Sequence, residues 1–350
     1  MQPYRKLVSL AVGLFSAATV STASAPPAAA AGEVNVYSYR QPFLVEPLFE
    51  AFTRESGIEV NVIYADGLIE RMVQEGANSP ADVLLAVDIG RLTSAVQQGV
   101  AQRLDSEAIN SAIPASYRDP DGRWFGLTMR GRIVYASAER VEQDTISYEE
   151  LADPKWRGRI CTRSGQHDYN IALIASMIAH HGEAQAKEWL EGLKNNLALA
   201  PSGSDRAQVR SIHAGECDLA VGNTYYMALM RTNEEEPEQK DWAASAKILM
   251  PNADDRGTHV NISGMVLASH APHRDNAVAL MEWLTGAKAQ RIYAEVNHEY
   301  PLREGVPVSD MVASFGELRA DPLALSEIAE HRKRASELVD EVGYDAGPSS

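Results

Sequence analysis

The sequence predicts a two-lobed α/β fold, each lobe a doubly wound, mostly parallel sheet, with a ligand cleft between the lobes. Three observations carry this. From residue 33 onward, strand-like and helix-like segments alternate. The length suits two domains better than one. A second strand–helix series begins after a long apolar segment, and a later strand leads back toward the first series.

Residues 1–31 read as a cleavable signal peptide. A basic start (Arg5, Lys6) precedes an apolar run from Leu7 to about Ala18, then small residues ending in Ala29, Ala30 and Ala31. That run is too short for a permanent membrane anchor. Cleavage after Ala31 would start the mature chain at Gly32; Ala25 also satisfies the small-residue rule but would leave Pro26 first. No cysteine lies near either position to carry a lipid. Export of a soluble protein is the expectation.

In the first lobe, Glu33–Tyr39 alternates apolar and polar residues and is a strand. Residues 42–57 carry helical spacing through Leu44, Leu48, Phe49 and Phe52, closed by Gly57. A strand over 58–65, a helix over 67–77, an apolar strand over 81–88 and a helix over 89–99 follow. The long segment 124–137 opens the second series. There, 158–165 is a strand ending in a turn, 169–182 and 186–197 are helices, 216–223 is a strand, and a helix starts at Thr224. The strand 257–269 returns to the first lobe, and 276–296 reads as one long amphipathic helix. The expected lobes are 32–128 with 257–300, and 129–256 with 301–350.

The formal charge is −16, becoming −18 once Arg5 and Lys6 leave with the signal. Such a chain is repelled by phosphate backbones and anionic membranes, so no nucleic-acid partner is expected. Cys161 and Cys217 are the only cysteines. In an exported chain the simplest reading is a disulfide, closing a loop for about 4 kcal/mol; two separate free thiols are the alternative. Neither cysteine has a neighbour at metal-binding spacing.

Enzyme signatures are missing: there is no G-x-S-x-G, no G-x-x-x-x-G-K-[ST] and no H-E-x-x-H. His180 and His181 are adjacent on a predicted helix, diverge by about 100° and suit surface or cap positions. His270 and His273 read as loop residues, and no histidine occurs between residues 32 and 166.

The tyrosines are better candidates. Tyr225 and Tyr226 follow a strand, a Gly222-Asn223 turn and a helix cap at Asn223 or Thr224. Tyr169 follows the turn at Gly165 in the same way. Any one of them could simply be a packing residue whose hydroxyl finds a partner. Three at strand ends facing one cleft suggest a shared ligand. Free tyrosine titrates near 10, so several phenolates at neutral pH require a strongly polarising ion such as Fe(III). Calcium and magnesium prefer carboxylate and carbonyl oxygen, while zinc and copper recruit His or Cys. An aromatic box for an organic cation such as a polyamine or thiamine is the competing reading. A periplasmic enzyme using a cleft tyrosine as an acid is a more distant one.

The stretches "VNVYSYRQPFLVEPLFEAF", "SPADVLLAVDIGR", "WFGLTMRGR", "RSGQHDYN", "CDLAVGNTYY", "GTHVNISG" and "NHEYPL" resemble periplasmic ferric-ion-binding proteins of iron-uptake ABC transporters, over nearly the whole mature chain. The resemblance implies a type II periplasmic binding-protein fold and no catalysis. It implies Tyr169, Tyr225 and Tyr226 as phenolate ligands of Fe(III). Arg40 and Gln41 would hold a synergistic anion, usually carbonate, with Arg130 and Asn223 behind the ligands. A monomer delivering iron to an inner-membrane permease and its ATPase is the implied partnership. Gln41-Pro42 stands where some relatives place a His-Tyr pair, which favours the version with three tyrosines and an anion. Tyr39 is a possible fourth ligand left outside the set, because strand alternation turns it from the side of Arg40.

Overall fold

The computed structural model describes residues 32–348; the expected signal peptide lies outside the described residues. Strands β1 (Glu33–Ser38), β2 (Glu59–Tyr64) and β3 (Val83–Ala86) alternate with helices α1 (Pro42–Ser56), α2 (Leu68–Glu75) and α3 (Ile89–Gln97). After the short α4 (Glu107–Ala112) comes β4 (Phe125–Ser137), then β5 (Ile160–Cys161), α5 (Asp168–His181), α6 (Glu183–Asn195) and α7 (Asp205–His213). Next are β6 (Leu219–Asn223), α8 (Thr224–Arg231), α9 (Glu238–Ala244), β7 (Ala246–Leu249) and β8 (Val260–Leu267). The chain continues through α10 (Arg274–Leu284), α11 (Ala287–Val296), β9 (Tyr300–Pro301), α12 (Asp310–Ala313) and α13 (Leu325–Val342).

Local rules explain these elements. Helix α1 buries Val45, Leu48, Phe49 and Phe52 on one face, starts at Pro42 and ends where Gly57 turns left-handed at φ 73°. Strand β3 is buried at every position, as expected for a strand covered on both faces.

The strands follow the order β2-β1-β3-β8-β4-β6-β5, with β7 and β9 added beside β4. Strands β1, β2 and β3 run parallel, as do β5 and β6, while β8 and β4 cross antiparallel to their neighbours. The first half of β4, through Gly131, pairs with β8 and β9; from Arg132 onward it pairs with β6 and β7. One strand thus runs through both halves of the molecule, with the change of partner between Gly131 and Arg132. Helix α13 packs against α5 on one side and α3 on the other, bridging the same two halves.

Three expectations need correction. The single helix over 276–296 is two, because Thr285 closes α10 and Gly286 takes an extended conformation (ψ 155°) ahead of α11. A side chain at Gly286 would press on the Trp283 carbonyl. The strand over 158–165 is only Ile160–Cys161; beyond it the chain leaves β6 to form the turn before α5. His180 and His181 are half-buried rather than free at the surface: their Nε2 atoms bond Asp321 at 2.6 Å and Glu149 at 2.7 Å. Cys161 and Cys217 form a disulfide with Cα atoms 5.9 Å apart, joining β5 to the segment leading into β6.

Candidate metal centre

Helix starts and strand ends deliver the site. Tyr225 and Tyr226 are the second and third residues of α8, which begins directly after β6. Asn223 occupies the cap position, but its side chain does not cap the helix. Its Oδ1 accepts from Arg132 Nη1 at 3.1 Å, and its backbone N–H donates to Asp205 at 2.9 Å. A side chain at Gly222 would overlap the Tyr135 ring, whose hydroxyl donates to the Asn223 carbonyl. The turn before α8 is therefore fixed from beneath. Tyr169 is the second residue of α5, and its N–H donates to His167 Nδ1 at 3.2 Å. Burial, then the nearby Arg163 charge, lowers the His167 imidazolium to about 4, so the ring is a neutral acceptor at pH 7.

These two helix starts converge. The Tyr169 and Tyr225 hydroxyls lie 3.3 Å apart, and the Tyr225 and Tyr226 rings pack at 4.3 Å between centroids, tilted by 36°. Both residues share one cleft, of about 230 Å³, with Tyr226, Arg40, Gln41 and Arg130. Tyr225 is buried; burial first, then the Tyr169 and Tyr226 phenols, raises its pKa well above the usual tyrosine range. Tyr226 is pushed up to about 12 for the same leading reason. The protein alone thus holds these two groups as neutral phenols, and only a strongly polarising cation makes them phenolates at neutral pH.

Arginines surround the phenols. The guanidiniums of Arg130, Arg163 and Arg132 lie 5.3, 5.4 and 5.7 Å from the Tyr169 ring centre, and Arg206 lies 5.5 Å from that of Tyr226. Asp205, fully buried, pairs with Arg132 at 2.7 Å and Arg163 at 3.1 Å. Arg130 has no acid partner among its bonds; it donates to the Val87 carbonyl and to Ser263. Such a setting suits anionic oxygen far better than an organic cation.

Arg40 reaches the cleft from just beyond β1. Its Nη1 donates to Glu299 at 3.0 Å and also to Ser263, and both members of the ion pair are buried. Its Nε and Nη2 are buried without a partner. Each unmet donor of this kind costs about 1–3 kcal/mol, which an anion accepting from that edge would recover. Gln41 is exposed at the cleft mouth, at the cap position of α1. Tyr39 also lines the cleft, but its hydroxyl accepts from the Ile69 N–H at 3.0 Å and its ring stacks under Arg91 at 4.2 Å.

Sequence reasoning assigned no role to Glu299 or Arg206, both on the cleft wall. Glu299 carries one signal only after folding: His298 before it sits at φ 54°, a left-handed backbone that aims the next side chain inward. Arg206 lies in α7, which was not anticipated. Among the described residues, no group of three His, Cys, Asp or Glu could hold a metal ion.

Comparison with known proteins agrees with this architecture. Iron uptake protein A1 of Synechocystis is 42% identical over 315 residues, spanning 89% of this chain and 87% of that protein. The apo ferric ion-binding protein A of Pasteurella haemolytica is 48% identical, covering 89% of this chain and 98% of its own, at a TM-score of 0.85. Trichodesmium FutA, solved in complex with iron and citrate, is 39% identical over 89% of this chain and all of its own (100%), at a TM-score of 0.86. Residues 78–314 match the family described as bacterial extracellular solute-binding protein. The chain belongs to that family.

Proposed function

We propose that this protein is the periplasmic Fe(III)-binding component of an iron-uptake ABC transporter. The observation that carries the reading is the 3.3 Å approach of the Tyr169 and Tyr225 hydroxyls, with Tyr226 packed beside them in one cleft. Three phenolates balance a trivalent ion, and a coordinated anion completes its shell. Arg40, with two unmet donors, and Gln41 at the mouth would hold that anion, carbonate being the simplest planar match for a guanidinium fork. Arg130 and Asn223 stand behind the tyrosines. The protein carries its ligand and performs no catalysis. Segments 32–128 with 257–300, and 129–256 with 301–350, act as two lobes that close on the ion. The loaded form would dock on an inner-membrane permease driven by its ATPase.

The relatives named for iron and ferric binding support the cargo, and a citrate ligand in the Trichodesmium protein leaves carbonate as one of two candidate anions. A polyamine is disfavoured, because Glu299, the acid on the cleft wall, is already paired with Arg40. The test is one absorption spectrum before and after ferric addition with bicarbonate. A visible phenolate-to-iron band at one ion per chain is expected. Stoichiometric iron without colour would sink tyrosine ligation.

A further inference from the structure

Next to Tyr169 lies a group of charges that the proposed coordination does not use. Asp168, the first residue of α5, meets Arg91 Nη2 at 3.1 Å and Arg332 Nη2 at 2.9 Å. Arg332 also donates from Nη1 to the Asp168 carbonyl at 3.3 Å, and the same Nη1 forms an ion pair with Asp88 at 3.1 Å. Asp88 is fully buried. It accepts from the Gly90 N–H at 2.6 Å and from Asn261 Nδ2 at 2.6 Å, beside its ion pair with Arg332. A methyl group at Gly90 would overlap the Arg332 guanidinium, so the glycine is what lets this arginine reach across.

The members come from different halves of the molecule. Asp88 and Arg91 belong to the β3–α3 unit, beside the first half of the sheet path. Asp168 belongs to α5, which follows β5 in the other half, and Arg332 reaches both from α13. The same Arg91 guanidinium lies 4.2 Å above the Tyr39 ring on the cleft wall. One chain of contacts therefore runs from Tyr39 on the first-half cleft wall, through Arg91, to Asp168, the residue preceding Tyr169.

We propose that Asp168 is a positioning residue: clamped by Arg91 and Arg332, it latches the two halves and sets Tyr169 at the cleft. The latch holds the closed arrangement and slows loss of the bound ion. Both pairs are partly solvated, with Asp168 side chain 32% exposed, so they weaken with salt. This rests on Tyr169 being a ligand, which the wild-type absorption band tests separately.

The experiment compares wild type with Asp168→Asn and Arg91→Gln, alone and combined, in release of ferric ion to a competing chelator. All three tyrosines remain, so the one-to-one stoichiometry should be unchanged, while the band should shift or weaken in Asp168→Asn as Tyr169 loses its setting. Release should speed up about five- to tenfold in each variant, with the double variant no faster than the singles by the product of their effects. Wild-type release should also accelerate with added salt, and that of Asp168→Asn should not. Unchanged release, or an equal salt response, overturns the latch. An ion-free arm uses spin labels at Val73→Cys and Leu199→Cys, one exposed position on each half. Asp168→Asn should lengthen and broaden the distance distribution; an identical distribution overturns the proposal even if no iron binds.

Discussion

The Tyr169 and Tyr225 hydroxyls, which come from helices 56 residues apart in sequence, stand 3.3 Å from one another. Two phenols at that distance share one hydrogen bond while neutral and repel when both ionise. A cation placed between them reverses that repulsion into shared attraction.

Replacing Tyr225 by Phe keeps the ring and its packing on Tyr226 while removing one donor. Ferric affinity should fall by more than about a hundredfold, and the visible band should weaken or shift. Chelator competition with an absorption readout measures both. Thermal stability without iron should change little, since the lost bond is a neutral one on a cleft wall.

Arg40 and Glu299 form a buried pair, so Arg40→Ala leaves a carboxylate without its cation. That should cost about 3–5 kcal/mol of stability, partly recovered in Arg40→Ala combined with Glu299→Gln. Iron retention should fall in bicarbonate buffer and differ less from wild type in carbonate-free buffer. Calorimetric melting separates the first effect, and release kinetics in the two buffers the second.

His259 is buried, and burial followed by the Arg132 charge holds its imidazolium down at about 3. The unfolded chain binds a proton on this residue below about 6.5, and the folded chain does not. Its contribution is therefore complete above about 6.5 and is lost progressively as pH falls toward 3. Denaturant titrations of wild type and His259→Gln at pH 7.5 and pH 5 should show a smaller acid-induced loss for the variant.

The Cys161–Cys217 bond closes a loop of 56 residues. Reduction, or Cys161→Ser with Cys217→Ser, should lower stability by about 4 kcal/mol. Because the bond ties β5 to the approach of β6, ferric release should also quicken as the turns bearing Tyr169 and Tyr225 loosen. Unfolding curves and release rates are the two measurements.

That the three tyrosines share one cleft could be read from the sequence because each sits in the first turn of a helix, Tyr225 and Tyr226 directly after a strand and Tyr169 a short turn beyond one, a signal contained within about ten residues. The α/β alternation was legible for the same local reason. Glu299 was not, since its place opposite Arg40 depends on a left-handed turn at His298 and on β9 joining β4. Arg91, Asp168 and Arg332 come together only through α13 packing across two distant helices. The break at Thr285–Gly286 was hidden because apolar spacing continues on either side of it. Periodicity reports which face is buried, and a helix that stops and restarts can bury the same face.

The partner change within β4 also bears on how the molecule is made. The second half of β4, with β5, β6 and β7, closes its pairings within residues 132–249, so that half has its strands together early. Strand β3, paired with β1 on one edge, must wait for β8 on the other, Val83 meeting Leu267, and that edge stays open until the intervening chain exists. Long-range antiparallel closure of this kind is slow, because the loop entropy is lost before any contact is gained. The first-translated sheet therefore keeps an open edge at β3 while the chain through β8 is made, and during that interval this edge is where a chaperone or an aggregation partner would act.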